Sequence, residues 1–147
     1  MSSRVCVDIN VALKLTLPEE ESVTAQHLWS SWVESGTEIV APPLFMFEGT
    51  SALCTLVQRG LITAEEGASM LQILQAHRVR LIYPEDLHER ALAFALRFEQ
   101  PQAYDAHYLA LAEALGCEFW TADGRLYRTV CDALPWVRWL TEYQPTS

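Results

Sequence analysis

Four acidic residues, Asp8, Glu48, Asp105 and Asp123, stand where the surrounding pattern either stops or calls for something apolar. Asp8 follows the short apolar run Val5-Cys6-Val7. Asp123 follows a second run of that kind, Cys117 to Thr121. Glu48 shares a helical face with Phe45, Ala52 and Leu56, and Asp105 shares one with Tyr108, Leu109 and Ala112. Carboxylates are rare on buried stripes unless they are paired or bind a metal. Four of them gathered without a cation would repel and raise one another's pKa. A hard divalent cation removes that conflict, because magnesium and manganese take oxygen ligands and keep several waters. Such a site can activate water for attack on a phosphodiester and stabilise the departing oxygen.

Each acid also has a reading without chemistry. Asp8 and Asp123 suit turns or helix caps. Asp105 suits the first turn of a helix, where the helix dipole favours a carboxylate. Glu48 could lie on an exposed edge of its helix. The four are widely spaced in sequence, so the residues alone leave a shared site and four separate acids both open.

The elements that would position them read as follows. A buried strand ends at Asp8, with a short helical turn within Asn10 to Leu17. A helix over 23–34 ends at Ser35-Gly36, and a strand over 37–41 stops at Pro42-Pro43. A helix spans 44–59 and ends at Gly60. Thr63 and Glu66 form a capping box for a helix running to about His77. A strand over 79–83 is closed by Pro84, and Asp86 reads as the cap of a helix with Leu87, Ala91, Phe94, Ala95 and Phe98 on its buried face. A helix over 104–115 ends at Gly116. A strand over 117–121 runs into Asp123, a short helix covers 125–133, and a last strand lies at 136–140, with a frayed tail from Tyr143. Strands alternate with helices, which predicts an α/β fold with a parallel sheet. The chain reads as one domain over 1–147, with Asp8 and Asp123 meeting at one sheet edge if their strands are neighbours.

Composition narrows the function classes. With 147 residues, half of them hydrophobic, the chain can bury a core without disulfides or metal staples. The cysteines Cys6, Cys54, Cys117 and Cys131 form no C-x-x-C pair, so they read as reduced, mostly buried thiols. The histidines lack ligand spacing. No stretch can span a bilayer and no signal pattern opens the chain, which predicts a cytoplasmic protein. The net charge of −9, with Lys14 the one lysine, argues against strong nonspecific nucleic-acid binding and fits a cation site or a basic partner. Arg59, Arg125 and Arg128 are the candidates for phosphate contact. No phosphate loop or dinucleotide fingerprint is present. An aspartyl-nucleophile phosphohydrolase would carry an acid at Asn10 and a later lysine, and both are missing. A receiver domain fails for want of the same lysine.

The chain resembles the PIN-domain family of metal-dependent ribonucleases, especially the VapC-type toxins of toxin–antitoxin pairs. The resemblance rests on Val-Asp-Ile-Asn (7–10), Leu-Pro-Glu-Glu (17–20), Pro-Pro-Leu-Phe-Met-Phe-Glu (42–48), Tyr-Asp-Ala-His-Tyr-Leu-Ala-Leu-Ala (104–112) and Trp-Thr-Ala-Asp-Gly-Arg-Leu (120–126). It implies a three-layer α/β/α sandwich around a parallel sheet. It also implies that Asp8, Glu48, Asp105 and Asp123 surround magnesium or manganese, with Asn10 and Thr121 as supporting polar residues. The implied activity is cleavage of RNA, and the implied partner is a basic antitoxin. Gly49-Thr50-Ser51 departs from the smoother helix expected after Glu48. The rival expectation is a non-catalytic PIN-fold module that binds a protein or RNA. A homodimer is also expected, from five tryptophans that exceed the needs of one core.

Overall fold

Val5, Cys6 and Val7 of β1 (Arg4–Val7) are all buried, so both faces of this strand are covered, as a central parallel strand requires. The structure, a computed structural model, describes residues 3–145. β1 pairs in parallel with β2 (Glu38–Ala41) on one side and with β4 (Glu118–Thr121) on the other. β3 (Arg80–Leu81) lies beyond β2, and β5 (Val137–Trp139) beyond β4. All pairings are parallel, in the order β3-β2-β1-β4-β5. The chain winds outward from β1 to β3, then returns to place β4 on the far side of β1. Strand order reverses between β1 and β4, and in open parallel sheets ligand crevices form outside the carboxyl ends at that point.

Alternation along the central strands separates two helical layers. Cys6 and Phe119, partners in register, face α6 (Tyr104–Leu115). Cys6 Sγ lies 3.8 Å from the Tyr108 carbonyl oxygen, and Phe119 stacks on the Tyr108 ring at 5.7 Å. Trp120, the next residue, points the other way and meets Trp32 of α2 (Ser22–Glu34) edge-on at 6.2 Å. α5 (Leu87–Arg97) packs along α6. The result is the expected three-layer α/β/α sandwich. Its remaining helices are α1 (Ile9–Leu13), α3 (Leu44–Gln58), α4 (Ala64–Ala76) and α7 (Gly124–Val130), followed by a 3₁₀ turn at Leu140–Glu142.

The capping box of α4 is present in full: Thr63 Oγ1 accepts from Glu66 N at 3.0 Å, and Glu66 Oε1 accepts from Thr63 N at 2.9 Å. Other details differ from the sequence reading. β3 is two exposed residues rather than five, an edge strand cut short before Pro84. Asp86 precedes α5 but makes no cap bond; its carboxylate accepts from Arg90 Nε at 2.7 Å, one helical turn on. Cys54 is exposed, because it lies on the solvent side of α3. Tyr143 is anchored rather than frayed, its ring edge-on to Trp120 at 5.9 Å. Thr146 and Ser147, the end of the expected tail, lie outside the described residues. Among the described residues no helix is long and apolar enough to cross a membrane.

Candidate active site

Asp8 is the first residue past β1, and its backbone still belongs to the sheet: its N–H donates to the Trp120 carbonyl at 3.2 Å. Its side chain faces two ways. Oδ1 accepts from Val11 N at 3.1 Å and caps α1, while Oδ2 accepts the Thr121 hydroxyl at 2.5 Å. Thr121 Oγ1 in turn accepts from Asp123 N at 2.9 Å. Thr121 is fully buried, and its hydroxyl is used as donor and acceptor at once. A single hydroxyl therefore ties together the acids at the ends of β1 and β4. Asp123 Oδ1 caps α7 through Arg125 N at 2.9 Å and Leu126 N at 3.2 Å, leaving Oδ2 without a partner among the described residues. Gly124 is required here, since a Cβ would stand 2.7 Å from the Trp139 ring of β5. The cap reading of Asp8 and Asp123 thus holds, and it holds alongside their convergence.

The other two acids arrive on helices. Glu48 is half-buried on α3 and accepts the Tyr108 hydroxyl on Oε1 at 2.6 Å. Tyr108 is buried, and burial together with the Glu48 charge holds its phenol protonated. Asp105, half-buried in the first turn of α6, is bound by neither a hydrogen bond nor a basic partner among the described residues. Every ion pair of the described residues involves other acids.

The electrostatics join the four. Burial pushes the Asp8 carboxyl up to about 7, against the lowering effect of the Thr121 and Val11 bonds, with Asp105 and Asp123 adding repulsion. Burial raises Asp105, and the charge of Asp123 raises it further. Burial raises Glu48 too, partly offset by the Tyr108 bond, with Asp105 adding to the rise. The donor set is all oxygen and lacks a basic counter-charge, which is the chemistry a hard divalent cation fits. Among the described residues no three ligand side chains already meet closely enough to hold an ion. The carboxylates stand within electrostatic reach of one another, and Asp105, Asp123 Oδ2 and Glu48 Oε2 accept no hydrogen bond among the described residues.

Asn10, Ala52 and Thr55 form the common floor of two adjoining depressions of about 490 and 460 Å³, which run from Glu48 and Tyr104 to Asp123 and Lys14. Asn10 is exposed in this cleft and bonds none of the acids. Thr121, by contrast, holds both strand-end acids. A larger depression, about 580 Å³, lies at the opposite end of the strands beside Ser3, Thr37 and Gly116, and none of the four acids reaches it. Arg125 is exposed next to Asp123. Arg128 lies over the Trp139 ring at 5.9 Å. Arg59 lies roughly 16 Å along the helix from Glu48, one turn beyond Thr55 at the far end of the cleft, where its N–H donates to the Thr55 carbonyl at 3.0 Å.

Two features escaped the sequence reading. Tyr108 was legible only as a buried stripe residue, although a buried phenol needs an acceptor and that need was the available signal. His88 and His107, nineteen positions apart, meet at 2.9 Å, a contact made by the packing of α5 on α6 that no spacing foretells.

A PIN domain family model matches residues 5–130. Ribonuclease VapC3 of Pyrobaculum aerophilum is 32% identical over 128 residues, covering 84% of this chain and 92% of that protein. VapC ribonuclease Mb0985 of Mycobacterium bovis and ribonuclease VapC9 of Mycobacterium tuberculosis are each 39% identical over 88 residues, 60% of this chain and 67% of theirs.

Proposed function

The chain belongs to the PIN-domain family, and from that premise we propose that it is a divalent-metal-dependent endoribonuclease, the toxin of a toxin–antitoxin pair. The observation that supports this is the mutual electrostatic influence of Asp8, Glu48, Asp105 and Asp123 around the β1/β4 switch point, Asp105 acting on Asp8 and Glu48 and Asp123 on Asp8 and Asp105, with no basic residue paired to any of them among the described residues. The names of the relatives support the same activity. Asp105, Asp123 and Glu48 would hold magnesium or manganese through their free oxygens, and Asp8 would do so with its orientation fixed by Thr121. When bound, the cation supplies Lewis-acid charge that activates water and stabilises the leaving oxygen. The chain's residues do the rest. Thr121 holds Asp8 and the Asp123 backbone in register. Tyr108 fixes one Glu48 oxygen and leaves the other to orient the attacking water. Asn10 stands at the cleft floor where it can hydrogen-bond substrate or water.

The net charge of −9 favours a basic antitoxin as the protein partner. Replacement of Asp8 or Asp105 by Asn is expected to reduce RNA cleavage in magnesium or manganese by about 100-fold or more while the protein stays folded. Unchanged cleavage would refute the assignment. A folded, metal-loaded protein that cuts no RNA but binds a basic partner would favour the non-catalytic module instead.

A further inference from the structure

The carboxyl edge of the sheet has two halves. Asp8 and Asp123 stand beyond β1 and β4, and beyond β2 and β3 the chain places aromatic rings. The large aromatic residues exposed among the described residues are Phe47, Tyr83 and Tyr104, at 74%, 61% and 56%. All three line one pocket of about 310 Å³, beside Pro42 and Pro43 just past the end of β2. Scattered exposed apolar residues are ordinary, whereas convergence of every exposed aromatic on one pocket marks a binding surface. Leu44, Phe47 and Tyr104 also line the acid cleft, so the pocket and the cleft are continuous. Phe47 precedes Glu48 and Tyr104 precedes Asp105, so the Cα of each aromatic residue is one step, about 3.8 Å, from the Cα of an acid.

The remaining wall is a chain of fixed rings. His107 Nδ1 lies 2.7 Å from the Ala103 carbonyl, which can only accept, so Nδ1 carries a proton. Nε2 of neutral His107 then accepts from His88 Nδ1–H at 2.9 Å, and His88 Nε2 accepts the Tyr83 hydroxyl. The rings cross edge-on, Tyr83 to His88 at 5.3 Å and His88 to His107 at 5.1 Å. Their polar atoms are spent on one another, so this wall presents ring surface rather than free donors. That suits stacking, which tolerates any base, better than hydrogen-bond readout.

Continuity with the acid cleft selects the occupant, and charge sets how it is held. Of the residues lining the cleft and pocket, Lys14 is the one lysine or arginine, and it is held 3.4 Å from Glu19. Phosphate neutralisation therefore supplies little affinity for RNA, and stacking must supply more. We infer that the Phe47–Tyr83–Tyr104 pocket is a nucleobase-stacking subsite for single-stranded RNA, holding the base beside the phosphate that lies at the acids. This rests on the ribonuclease reading and adds how the substrate is gripped.

The test uses a short single-stranded RNA with 2-aminopurine at alternate positions, whose fluorescence falls on stacking against an aromatic ring. Stopped-flow mixing in magnesium reads the quench before turnover, and cleavage is followed separately. Phe47→Ala and Tyr104→Ala remove exposed rings, and thermal unfolding checks that the fold is kept. Each is expected to weaken RNA binding about tenfold and to raise KM with kcat nearly unchanged, with Phe47→Trp restoring both. A quench without cleavage supports the subsite and overturns the ribonuclease reading. Cleavage without a quench, or equal RNA affinity in the double alanine variant, overturns the subsite and leaves the ribonuclease reading standing. Loss of affinity for a basic amphipathic peptide with RNA binding unchanged would show protein docking and overturn it as well.

Discussion

Thr121 joins the site through one oxygen. Thr121→Val keeps the shape of the side chain but leaves Asp8 Oδ2 and the Asp123 N–H without their partner. We expect a loss of about 1–3 kcal/mol in urea denaturation and a fall of about 10–100-fold in manganese affinity by calorimetric titration. Thr121→Ser, which keeps the hydroxyl, should lose much less; a valine variant that binds manganese as wild type does would disprove the coupling. Asp8 itself makes stability depend on pH. Its carboxyl titrates near 7 when folded and near 3.8 when unfolded, mainly because it is buried. Between those values the folded chain keeps a proton that the unfolded chain has released. Stability of the metal-free protein therefore falls as pH rises from about 4 to about 7 and is flat in this contribution above that, a swing of at most about 4 kcal/mol. Burial of His77 lowers its pKa and works with the opposite sign below its ordinary range. Asp8→Asn isolates the carboxyl: denaturation at pH 5.5 and pH 8 should show the wild type losing more stability at pH 8 than the variant does. Equal losses would mean that Asp8 ionises without cost.

At the scale of elements, α3 holds Glu48 in place by a close crossing with its neighbours. A Cβ on Gly49 would lie 2.7 Å from Leu74 Cδ2 of α4 and 2.9 Å from Ile9 Cδ1 of α1. Leu74 and Ile9 are themselves buried, so their side-chain ends must repack within the core to make room. The glycine that interrupts a strong helix in the sequence is therefore the contact point of three helices. Gly49→Ala should gain about 1 kcal/mol of helix propensity and lose about 1–3 kcal/mol to overpacking. A net loss near 1 kcal/mol in guanidinium unfolding is expected, together with reduced cleavage as Glu48 shifts. A stabilised variant would show the crossing to be loose. Much of this architecture was legible beforehand. Continuous apolar runs marked β1, β2 and β4, and helical stripes marked α2 to α6, because burial imposes a period on sequence. Asp8, Asp105 and Asp123 could be placed at element ends, and Glu48 could be set apart because its stripe was otherwise apolar. The short β3, the ion pair that takes Asp86 away from its cap, and the Tyr108 bond to Glu48 depend on neighbours distant in the chain, which a local pattern does not encode. The same holds for the use of Thr121, whose partners lie on another strand.

Across the whole molecule, the net charge of −9 and the placement of the few basic residues decide how RNA can be held. Arg4, Arg80, Arg90 and Arg138 are paired to Glu38, Asp86, Glu113 or Glu118, away from the cleft. Arg59 lies one turn beyond Thr55 of the cleft, and Arg128 lies over Trp139 with its guanidinium close to Gly124. Arg125 follows Asp123 by two residues, and Lys14 lines the cleft with Asp123 while paired to Glu19. Trp29, Trp32 and Trp120 are buried, while the half-buried Trp136 packs on Phe94 and the half-buried Trp139 on Tyr127. A protein that grips RNA through phosphates loses affinity steeply with salt, in proportion to the number of phosphates neutralised, with a slope near −0.7 per phosphate on single strands. One or two basic contacts predict a slope of about −1 in log affinity against log salt. Fluorescence anisotropy of labelled single-stranded RNA, measured over a range of potassium chloride at constant magnesium, reads this directly. A slope of about −4 or steeper would require roughly six phosphate contacts, more than the basic residues near this cleft can make. It would move the RNA path away from the Asp8–Asp123 edge to another face of the sandwich. A shallow slope, combined with affinity that depends on Phe47 and Tyr104, would mean that an acidic protein holds RNA by a cation and by ring stacking.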